Sequence, residues 1–243
     1  MRRTLLIDAD ITIYRVATTN EVPTRFYNGL WVLWADEDKT KWDFDDQIKS
    51  IIEETGADDY ILCLTSTNNF RKDILPSYKG NRSNHRKPMM LPVLRDHVMA
   101  NHPYEMRDGL EGDDLLGIYA TNPNLEGEYV IYSADKDMKT IPALLWDDEN
   151  KVVVVNTVEQ ADRYWLTQTL TGDQTDGYKG AQKIGPVGAQ KILDDDCSWE
   201  AVLAAFIKAG HTEDEALQQA QVARILRYEN YDLVTNTLGV WKP

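Results

Sequence analysis

The sequence predicts an α/β fold with a mainly parallel sheet flanked by helices, and three observations support this prediction. Short apolar runs with the length of buried strands occur at residues 4–8, 60–65, 129–133 and 152–155. Segments with apolar residues at helical spacing lie between them, for example at 44–55. With 243 residues, the chain has room for one such domain and a smaller helical region.

In the first half of the chain, strand, hairpin and helix patterns follow one another. The first apolar run ends in the carboxylate of Asp8. Asn28 and Gly29 stand between aromatic arms, which is the signal of a β-hairpin. A helix is expected over 44–55 and a second buried strand over 60–65.

The second half begins with a basic, aperiodic segment at 71–90 that contains Pro76 and Pro88, which predicts a long loop or arch. Thr212 and Glu215 have the spacing of a capping box. The other expected elements are a short strand at 104–107, a helix at 113–120, two further strands, a helical stretch at 157–193 with a glycine-rich break, and a helix from Thr212 to about Arg227.

The charge balance is unusual for a protein that binds phosphates, with 40 acidic and 26 basic residues and a formal net charge of −14. The basic residues are unevenly distributed. Residues 71–87 contain six Lys or Arg and one Asp, and residues 179–191 contain three Lys and no acid. Either run alone also fits a solvated face, but both together favour phosphate contacts.

Composition also bounds the location of the protein. No apolar run approaches 18 residues, so no membrane span is expected. The first residues turn acidic too early for a secretory signal. Cys63 and Cys197 show no spacing that suggests a pair, so we expect free thiols in a reducing cytoplasm.

Acidic residues are concentrated beside glycines and strand ends in four segments, namely Ile7–Asp10, Glu111–Asp114, Asp135–Asp137 and Gly172–Gly177. Hard carboxylate oxygens suit Mg²⁺ or Mn²⁺, and so much like charge in one cleft requires cations. Two such ions can hold both oxygens of a phosphodiester displacement in line. Taken alone, each segment also fits a helix first turn, a surface turn or a solvated loop.

Two further constellations suggest phosphate contacts. Lys79 and Arg82 are three residues apart, so on a helical face they would clamp one phosphate, and Tyr78 would stack on a base. The alternative is a basic loop with one anchoring aromatic side chain. Gly185 and Gly188 predict a tight turn whose N–H groups face a phosphate, or else an ordinary connection between packed helices.

The order of these motifs resembles the flap-endonuclease superfamily of 5′ nucleases; the motifs are IDAD, YKGNR, LEGDD, SADKDMKTIP, GDQTDG and IGPVGA. More narrowly, the chain is similar to the 5′→3′ exonucleases of short-tailed phages through LEGDDLLG, TNPN, GDQTDGYKG, QVARILR and WKP. The match spans about residues 4 to 243.

The resemblance implies a PIN/resolvase-like nuclease core at 1–160, with a helical arch or basic gateway near 71–100. It implies a helical region at 161–243 with a DNA-binding helix–three-turn–helix at about 175–195 and a C-terminal helix packed back on the core.

Roles for individual residues also follow from the resemblance. Two Mg²⁺ or Mn²⁺ ions would be held by Asp8, Glu111, Asp113, Asp114, Asp135, Asp137, Asp173 and Asp176. The catalytic gateway would consist of Tyr78, Lys79 and Arg82. The resemblance and the basic runs together imply DNA contacts by Arg86, Lys87, Lys183, Gly185, Val187, Gly188 and Lys191. The resemblance also implies a K⁺ ion at the helix–three-turn–helix.

The implied activity is hydrolysis of double-stranded or flapped DNA from 5′ ends. An RNA–DNA hybrid is a further candidate substrate, and phage replication proteins are candidate partners. The sequence departs from the family where Ser66 stands in place of an Asp after the second strand, and Asp10 is a candidate to compensate.

Two alternatives stay open at this stage. Asp8, Asp10 and Thr12 fit the opening motif of a haloacid-dehalogenase phosphatase, although that leaves Glu111–Asp114 and the glycine turn unexplained. The substitution at Ser66 allows a DNA-end-binding protein without catalysis. An assay for Mg²⁺-dependent release of nucleotides from duplex DNA distinguishes the nuclease from the phosphatase and from the DNA-end-binding protein.

Overall fold

The computed structural model describes residues 2–81 and 86–243. In chain order, the strands are β1 (Arg3–Asp8), β2 (Val22–Arg25), β3 (Trp31–Trp34), β4 (Asp59–Cys63), β5 (Tyr104–Glu105), β6 (Glu128–Tyr132), β7 (Leu144–Asp147), β8 (Val152–Val155), β9 (Tyr231–Asp232) and β10 (Thr237–Leu238). The helices are α1 (Ala9–Thr19), α2 (Glu37–Thr55), α3 (Arg71–Ile74), α4 (Leu91–Asn101), α5 (Gly112–Ala120), α6 (Val158–Thr171), α7 (Pro186–Asp195), α8 (Trp199–Lys208) and α9 (Glu213–Ala223).

A six-stranded sheet in the order β5-β4-β1-β6-β7-β8 forms the centre of the molecule. Strand β1 pairs in parallel with β4 and β6. Strands β5 and β7 extend the parallel part, and β8 is antiparallel to β7. Because β1, β4 and β6 run in one direction, their carboxyl ends meet at one edge of the sheet.

Helices cover both faces of this sheet because β1 is apolar at consecutive positions. Leu5 and Ile7 face a core cluster that contains Phe44 of α2 and Leu94 of α4. Leu6 faces the opposite cluster, which contains residues of α5 and of the segment after α9. Alternate side chains of a strand point to opposite faces, so a strand buried on both sides lacks polar alternation.

A third cluster forms the core of a helical region built from α6 to α9. Trp165 of α6 and Phe206 of α8 are buried there, together with Tyr78 from the basic segment. The loop 172–185 joins α6 to α7 and returns to the edge of the sheet, since Lys79 N donates to Asp176 O at 2.7 Å. The helical region therefore contributes residues to the sheet edge where the acidic motifs lie.

The predicted fold class of a mainly parallel sheet flanked by helices is confirmed. The expected hairpin is present as β2 and β3. The expected helix at 44–55 begins earlier, at Glu37, where Asp36 caps it by accepting Lys39 N. The described part of the basic segment agrees with the predicted loop, because α3 ends at Ile74 and the residues up to Asn81 form mainly turns. A helical arch is not confirmed by these residues.

The C-terminal prediction needs a correction. Helix α9 ends at Ala223, and the chain that packs back on the core is extended, with a 3-10 turn and the short β9–β10 pair. Ile225 and Leu226 in this extended segment are buried against α5, so apolar anchoring does not require helix here. Within the described ranges, no helix has the length and apolar character needed to cross a membrane.

Candidate active site

The first carboxylates of the candidate site lie where β1 and β6 end. Asp8 is the last residue of β1, caps α1 by accepting Ile11 N at 3.1 Å, and is 4% exposed. Asp135 follows β6 and accepts the N–H of Asp137 at 2.9 Å. Ser133 links the two ends, because its Oγ donates to Asp8 Oδ2 and accepts the Asp135 N–H. Both strand-end acids are thus held in fixed positions.

The second group of carboxylates begins helix α5. Glu111 is the N-cap, and Asp113 and Asp114 occupy the first turn. Gly112 makes this placement possible, because a Cβ there would lie 2.9 Å from the Cys63 carbonyl oxygen at the end of β4. The close approach brings the acids of α5 to the edge where β1 and β4 end, as the sequence predicted.

Asp114 has a different environment from the one expected. It is fully buried, and both carboxylate oxygens accept hydrogen bonds from the Arg71 guanidinium at 2.7 Å. The N–H groups of Glu111 and Leu226 also donate to it. The complete burial of Asp114 within these contacts does not fit its predicted role as a metal ligand, because no part of its side chain reaches the surface of the site.

Arg71 contacts the acids of the candidate site and was not predicted from the sequence. Its side chain is 2% exposed and also lies 3.1 Å from Glu111 Oε2, with its remaining donors on the carbonyl oxygens of Val222 and Arg224. In the sequence, Arg71 is one cation in a basic run, and nothing there separates it from its exposed neighbour Lys72.

Lys79 reaches into the acidic cluster. Its Nζ lies 2.5 Å from Glu111 Oε1 and 3.7 Å from Asp176 Oδ2. Its backbone φ is +53°, so Lys79 itself does not have a right-handed helical conformation. Arg82 lies outside the described residues.

Tyr78 does not occupy the position expected of a base-stacking residue. The side chain is buried at 3% exposure within the third core cluster. Its hydroxyl lies 3.0 Å from both Glu111 Oε2 and Asp176 Oδ2. A ring packed in a core has no free face for a base, so the prediction of stacking is corrected to a role in positioning two carboxylates.

The third group of acids comes from the 3-10 turn after β6 and from loop 172–185. Asp137 accepts a hydrogen bond from Gln168 of α6 at 2.5 Å. Asp173 lies 2.8 Å from Lys136 Nζ, and its other oxygen accepts the N–H of Thr175 at 2.7 Å. Loop 172–185 thus brings Asp173 and Asp176 to the same edge as Asp137.

The electrostatics of this edge indicate crowded negative charge. Burial, followed by the charges of Asp10 and Asp135, raises the pKa of Asp8 to about 6. Burial and Asp135 raise the pKa of Asp137 to about 6. Burial and the charge of Asp8 hold the pKa of Asp113 well above its usual range. Such shifts mean that the ionised carboxylates lack sufficient positive charge nearby.

Glu111 shows the opposite effect. Burial disfavours its charge, but Arg71 and Lys79 outweigh burial and lower its pKa to about 2. The donor set as a whole fits hard divalent cations, since it consists of carboxylates that need additional positive charge. Among the residues that the structure describes, however, no three of these acids have ligand atoms that all lie within 4.8 Å of one another. Asp45, His97 and His102, which lie elsewhere, meet that criterion.

Ser66 and Asp10, the positions where the sequence departs from the family, have local structural roles. Ser66 Oγ accepts the N–H groups of Asn68 and Gly109. Asp10 accepts the N–H of Thr65 at 2.7 Å and forms an ion pair with Arg95 at 3.2 Å. Asp10 is therefore held in position by protein donors.

The predicted DNA-binding residues of the helical region lie on an exposed surface at the start of α7. Exposed positions include Lys183, Gly185, Val187, Gly188 and Lys191. A cavity beside them is lined by residues 179–185 and His211. On the other predicted DNA-binding segment, Lys87 is exposed and Arg86 pairs with Glu21.

Comparison with known proteins decides the family. A family model described as the 5′-3′ exonuclease N-terminal resolvase-like domain matches residues 3–169. The chain belongs to this 5′-3′ exonuclease family. It is 30% identical to the exodeoxyribonuclease of Enterobacteria phage T3, over 98% of this chain and 92% of that protein. It is 29% identical to the exonuclease of Escherichia phage T7, over 98% of this chain and 93% of that protein.

A solved structure supports the exonuclease fold. The T5 D15 protein co-crystallised with metal ions superimposes with a TM-score of 0.70 at 15% identity, covering 92% of this chain and 90% of that chain. The prediction of a 5′ nuclease similar to phage exonucleases is thereby confirmed. The family excludes the alternative of a haloacid-dehalogenase phosphatase.

Proposed function

We propose that this exonuclease hydrolyses DNA phosphodiester bonds from 5′ ends by using two divalent cations, Mg²⁺ or Mn²⁺. The observation that carries the proposal is the set of buried carboxylates at the carboxyl edge of the sheet, where Asp8, Asp113 and Asp137 have raised pKa values. Cations stabilise such carboxylates when they bind, because the positive charge offsets the cost of burying the ionised groups and their mutual repulsion.

One cation would be held by Asp8, Glu111 and Asp113, and the other by Asp137, Asp173 and Asp176, with Asp135 placed between them. The bound cations would supply Lewis-acid stabilisation for the attacking and leaving oxygens of the phosphodiester. Asp114 is left out of this set, since its side chain is fully buried in the ion pair with Arg71. It supports the site by fixing Arg71, which in turn contacts Glu111.

Lys79 is proposed to neutralise charge that develops on the non-bridging phosphate oxygens. Its ammonium group already reaches the carboxylates, at 2.5 Å from Glu111 Oε1, so a phosphate at the cluster lies within its range. Arg82 is proposed to act beside it. Tyr78 holds Glu111 and Asp176 through its hydroxyl, and therefore acts as a positioning residue.

Duplex DNA is proposed to lie across the helix–three-turn–helix, which comprises loop 172–185 and α7. The exposed lysines Lys183 and Lys191 would contact phosphates, and the N–H groups near Gly185 and Gly188 would approach the backbone, with K⁺ as a bridging ion. Arg86 and Lys87 would contact the strand near the gateway. Phage replication proteins remain candidate partners.

The related T5 D15 protein is a flap endonuclease described in complex with DNA and metal ions. We therefore propose duplex ends and flaps as substrates and test them side by side. End-labelled duplex, flap and RNA–DNA hybrid substrates are incubated with the protein, and product lengths are read after Mg²⁺ addition.

The proposal expects release of short products from the 5′ end that stops when the cation is chelated. Binding without cleavage in Mg²⁺ and in Mn²⁺ would instead identify a DNA-end-binding protein. Cleavage that persists after chelation would contradict the proposed role of the carboxylates.

A further inference from the structure

Two histidines and one aspartate form a compact cluster away from the acidic edge. Asp45 lies on α2, His97 on α4, and His102 directly after α4. One ligand atom from each residue lies within 4.8 Å of the other two. Asp45 Oδ1 is 2.7 Å from His97 Nε2 and 3.0 Å from His102 Nε2.

The cluster is separate from the proposed catalytic site. His102 contacts Tyr60, which precedes the carboxyl end of β4 at Cys63 by three residues. Three residues of strand span about 10 Å. The cluster thus lies toward the amino ends of β4 and β5, whereas the catalytic acids lie toward the carboxyl ends of the strands.

From this geometry, we propose that Asp45, His97 and His102 bind a first-row transition-metal cation of the Zn²⁺ class. Two imidazole nitrogens and one carboxylate oxygen form a donor set that suits Zn²⁺ and leaves one position for water. Around a tetrahedral ion with bonds of about 2.0 to 2.2 Å, ligand atoms are about 3.4 Å apart. Asp45 Oδ1 lies 2.7 and 3.0 Å from the two Nε2 atoms, and all three atoms are within 4.8 Å of one another, so small side-chain shifts would give that spacing.

The surroundings of His102 suit coordination through Nε2, and both imidazole rings are held in position by their neighbours. The Tyr60 hydroxyl lies 3.0 Å from His102 Nδ1 and can accept its proton, which leaves Nε2 free as a ligand. The Asn101 side-chain amide nitrogen lies 3.1 Å from His97 Nδ1 and donates to the His97 carbonyl oxygen at 2.9 Å, so it holds this ring in position. The buried Phe44 ring contacts both imidazoles edge-on, so their orientations are restricted.

Exposure also fits a site that exchanges an ion with solvent. The His97 and His102 side chains are 13% and 9% exposed, while Asp45 is 47% exposed. An ion would enter from the side of Asp45 and would find the imidazoles already in place. Mg²⁺ would be a poor competitor, because it prefers oxygen ligands in octahedral geometry.

The bound cation would connect α2 to the end of α4. Helix α4 follows the basic segment and carries Arg95, which contacts Asp10 Oδ1 and the Thr65 carbonyl oxygen. A cation at the cluster would therefore brace the helix that joins the gateway segment to the sheet. It would raise the thermal midpoint, because it binds the folded chain and not the unfolded chain.

The test is a Zn²⁺ titration of the full chain in a large excess of Mg²⁺, with bound zinc per chain, imidazole NMR signals and the thermal midpoint as readouts. The wild type is expected to bind one zinc at the cluster and to shift the His97 and His102 ring signals. His102→Gln and Asp45→Asn should lose this zinc. Tyr60→Phe keeps the ring and should weaken the affinity by about 10- to 100-fold.

Two controls make the result specific. His211→Gln removes a histidine far from the cluster and should bind zinc as the wild type does. Asp135→Ala alters the acidic site and should also retain the zinc. The proposal is overturned if His102→Gln and Tyr60→Phe bind as the wild type does, or if Asp135→Ala alone loses the ion. It is also overturned if the wild type binds none, since Asp45 then only accepts hydrogen bonds from the two rings.

Discussion

Arg71 and Asp114 form a bidentate ion pair beneath the acidic cluster, with both N–O distances at 2.7 Å. The two side chains are 2% and 0% exposed. The same guanidinium contacts Glu111 and donates to the carbonyl oxygens of Val222 and Arg224. A single residue therefore connects the acids of α5 to the C-terminal segment.

Replacement of Arg71 by methionine should destabilise the protein by about 3–5 kcal/mol, because buried Asp114 loses its cation and Glu111 loses one of two. The free energy of unfolding is measured by urea titration. Lys72→Met on the same short helix is the matched control, and a change within about 0.5 kcal/mol is expected because Lys72 is exposed. Equal effects of the two substitutions would show that the buried pair does not stabilise the fold.

The stability of the metal-free protein should depend on pH through the acidic cluster. The pKa values of Asp8 and Asp137 rise from 3.8 to about 6 on folding, with burial as the main cause. The free-energy cost of ionising these two groups in the folded chain is absent below pH 3.8. It grows between pH 3.8 and about pH 6 and is fully present above that. These two groups should therefore make the metal-free protein less stable as pH rises through this window.

Asp135→Asn tests the origin of that cost, because the charge of Asp135 contributes to both shifts after burial. At pH 7 in a chelator, the variant should have a higher thermal midpoint than the wild type, whereas in Mg²⁺ the difference should vanish or reverse. The variant should also lose hydrolysis while its duplex affinity stays within a few-fold. Wild-type turnover in saturating Mg²⁺ would contradict the assignment of Asp135 to the cations.

Lys79→Ala should lower the single-turnover rate at saturating DNA by roughly 10²-fold or more, in line with the loss of one electrostatic stabiliser of the transition state. The affinity for duplex DNA should change little, since one of several basic contacts is removed. Lys72→Ala serves as the control for loss of positive charge in the same segment. If Lys79→Ala weakens only DNA binding, Lys79 is a binding charge and not part of the chemistry.

Tyr78→Phe distinguishes the observed environment of Tyr78 from the role first expected of it. A stacking residue would keep its function in phenylalanine, whereas a residue that holds Glu111 and Asp176 through its hydroxyl would not. We expect the rate to fall by about 10-fold and the apparent affinity for Mg²⁺ to weaken by about 10- to 100-fold, as for other groups that orient metal ligands. Unchanged Mg²⁺ dependence would remove this positioning role.

The sequence predicted the parallel strands well enough to place Asp8 and Asp135 at strand ends, because buried parallel strands are short, continuous apolar runs that end in loops. It did not predict which acids face the cluster. Adjacent residues such as Asp113 and Asp114 project from different sides of α5, and the side that faces the cluster depends on how the helix packs. Arg71 was missed for the same reason, since its partner carbonyl at Val222 lies 151 positions away in the chain.

Tyr78 illustrates a related limit. An aromatic side chain in a basic, aperiodic segment gives no sign of whether it is buried. Tyr78 is buried because loop 172–185 and the helical region pack against it in the third core cluster. Local composition therefore identified the segment that contributes to the candidate site, but it predicted base stacking where Tyr78 contacts two carboxylates.

Gly188 lies in the first turn of α7, where a glycine is unusual. A Cβ at this position would meet only Ile184 Cγ2 at 3.5 Å, which is ordinary contact, so packing does not require glycine here. Glycine in a helix costs about 1 kcal/mol relative to alanine. A glycine that neither packing nor the helix needs is explained if DNA backbone approaches at this point.

Gly188→Ala should therefore stabilise the fold, and Gly188→Val should fold normally. Both should weaken binding to long duplexes, with valine the stronger. A very short substrate, held mainly at the acidic cluster, should be cut by both at nearly the wild-type rate. Gln190→Val places the same side chain at an exposed position of α7 and is the control.

The comparison of long and short substrates separates DNA binding from folding, because a folding defect would lower both activities equally. If Gly188→Val reduces cleavage of both substrates to the same extent, the glycine serves the structure of α7. If neither substrate is affected, the DNA does not approach α7 at Gly188, and the duplex contacts must come from the lysines and from the basic segment near Arg86 and Lys87.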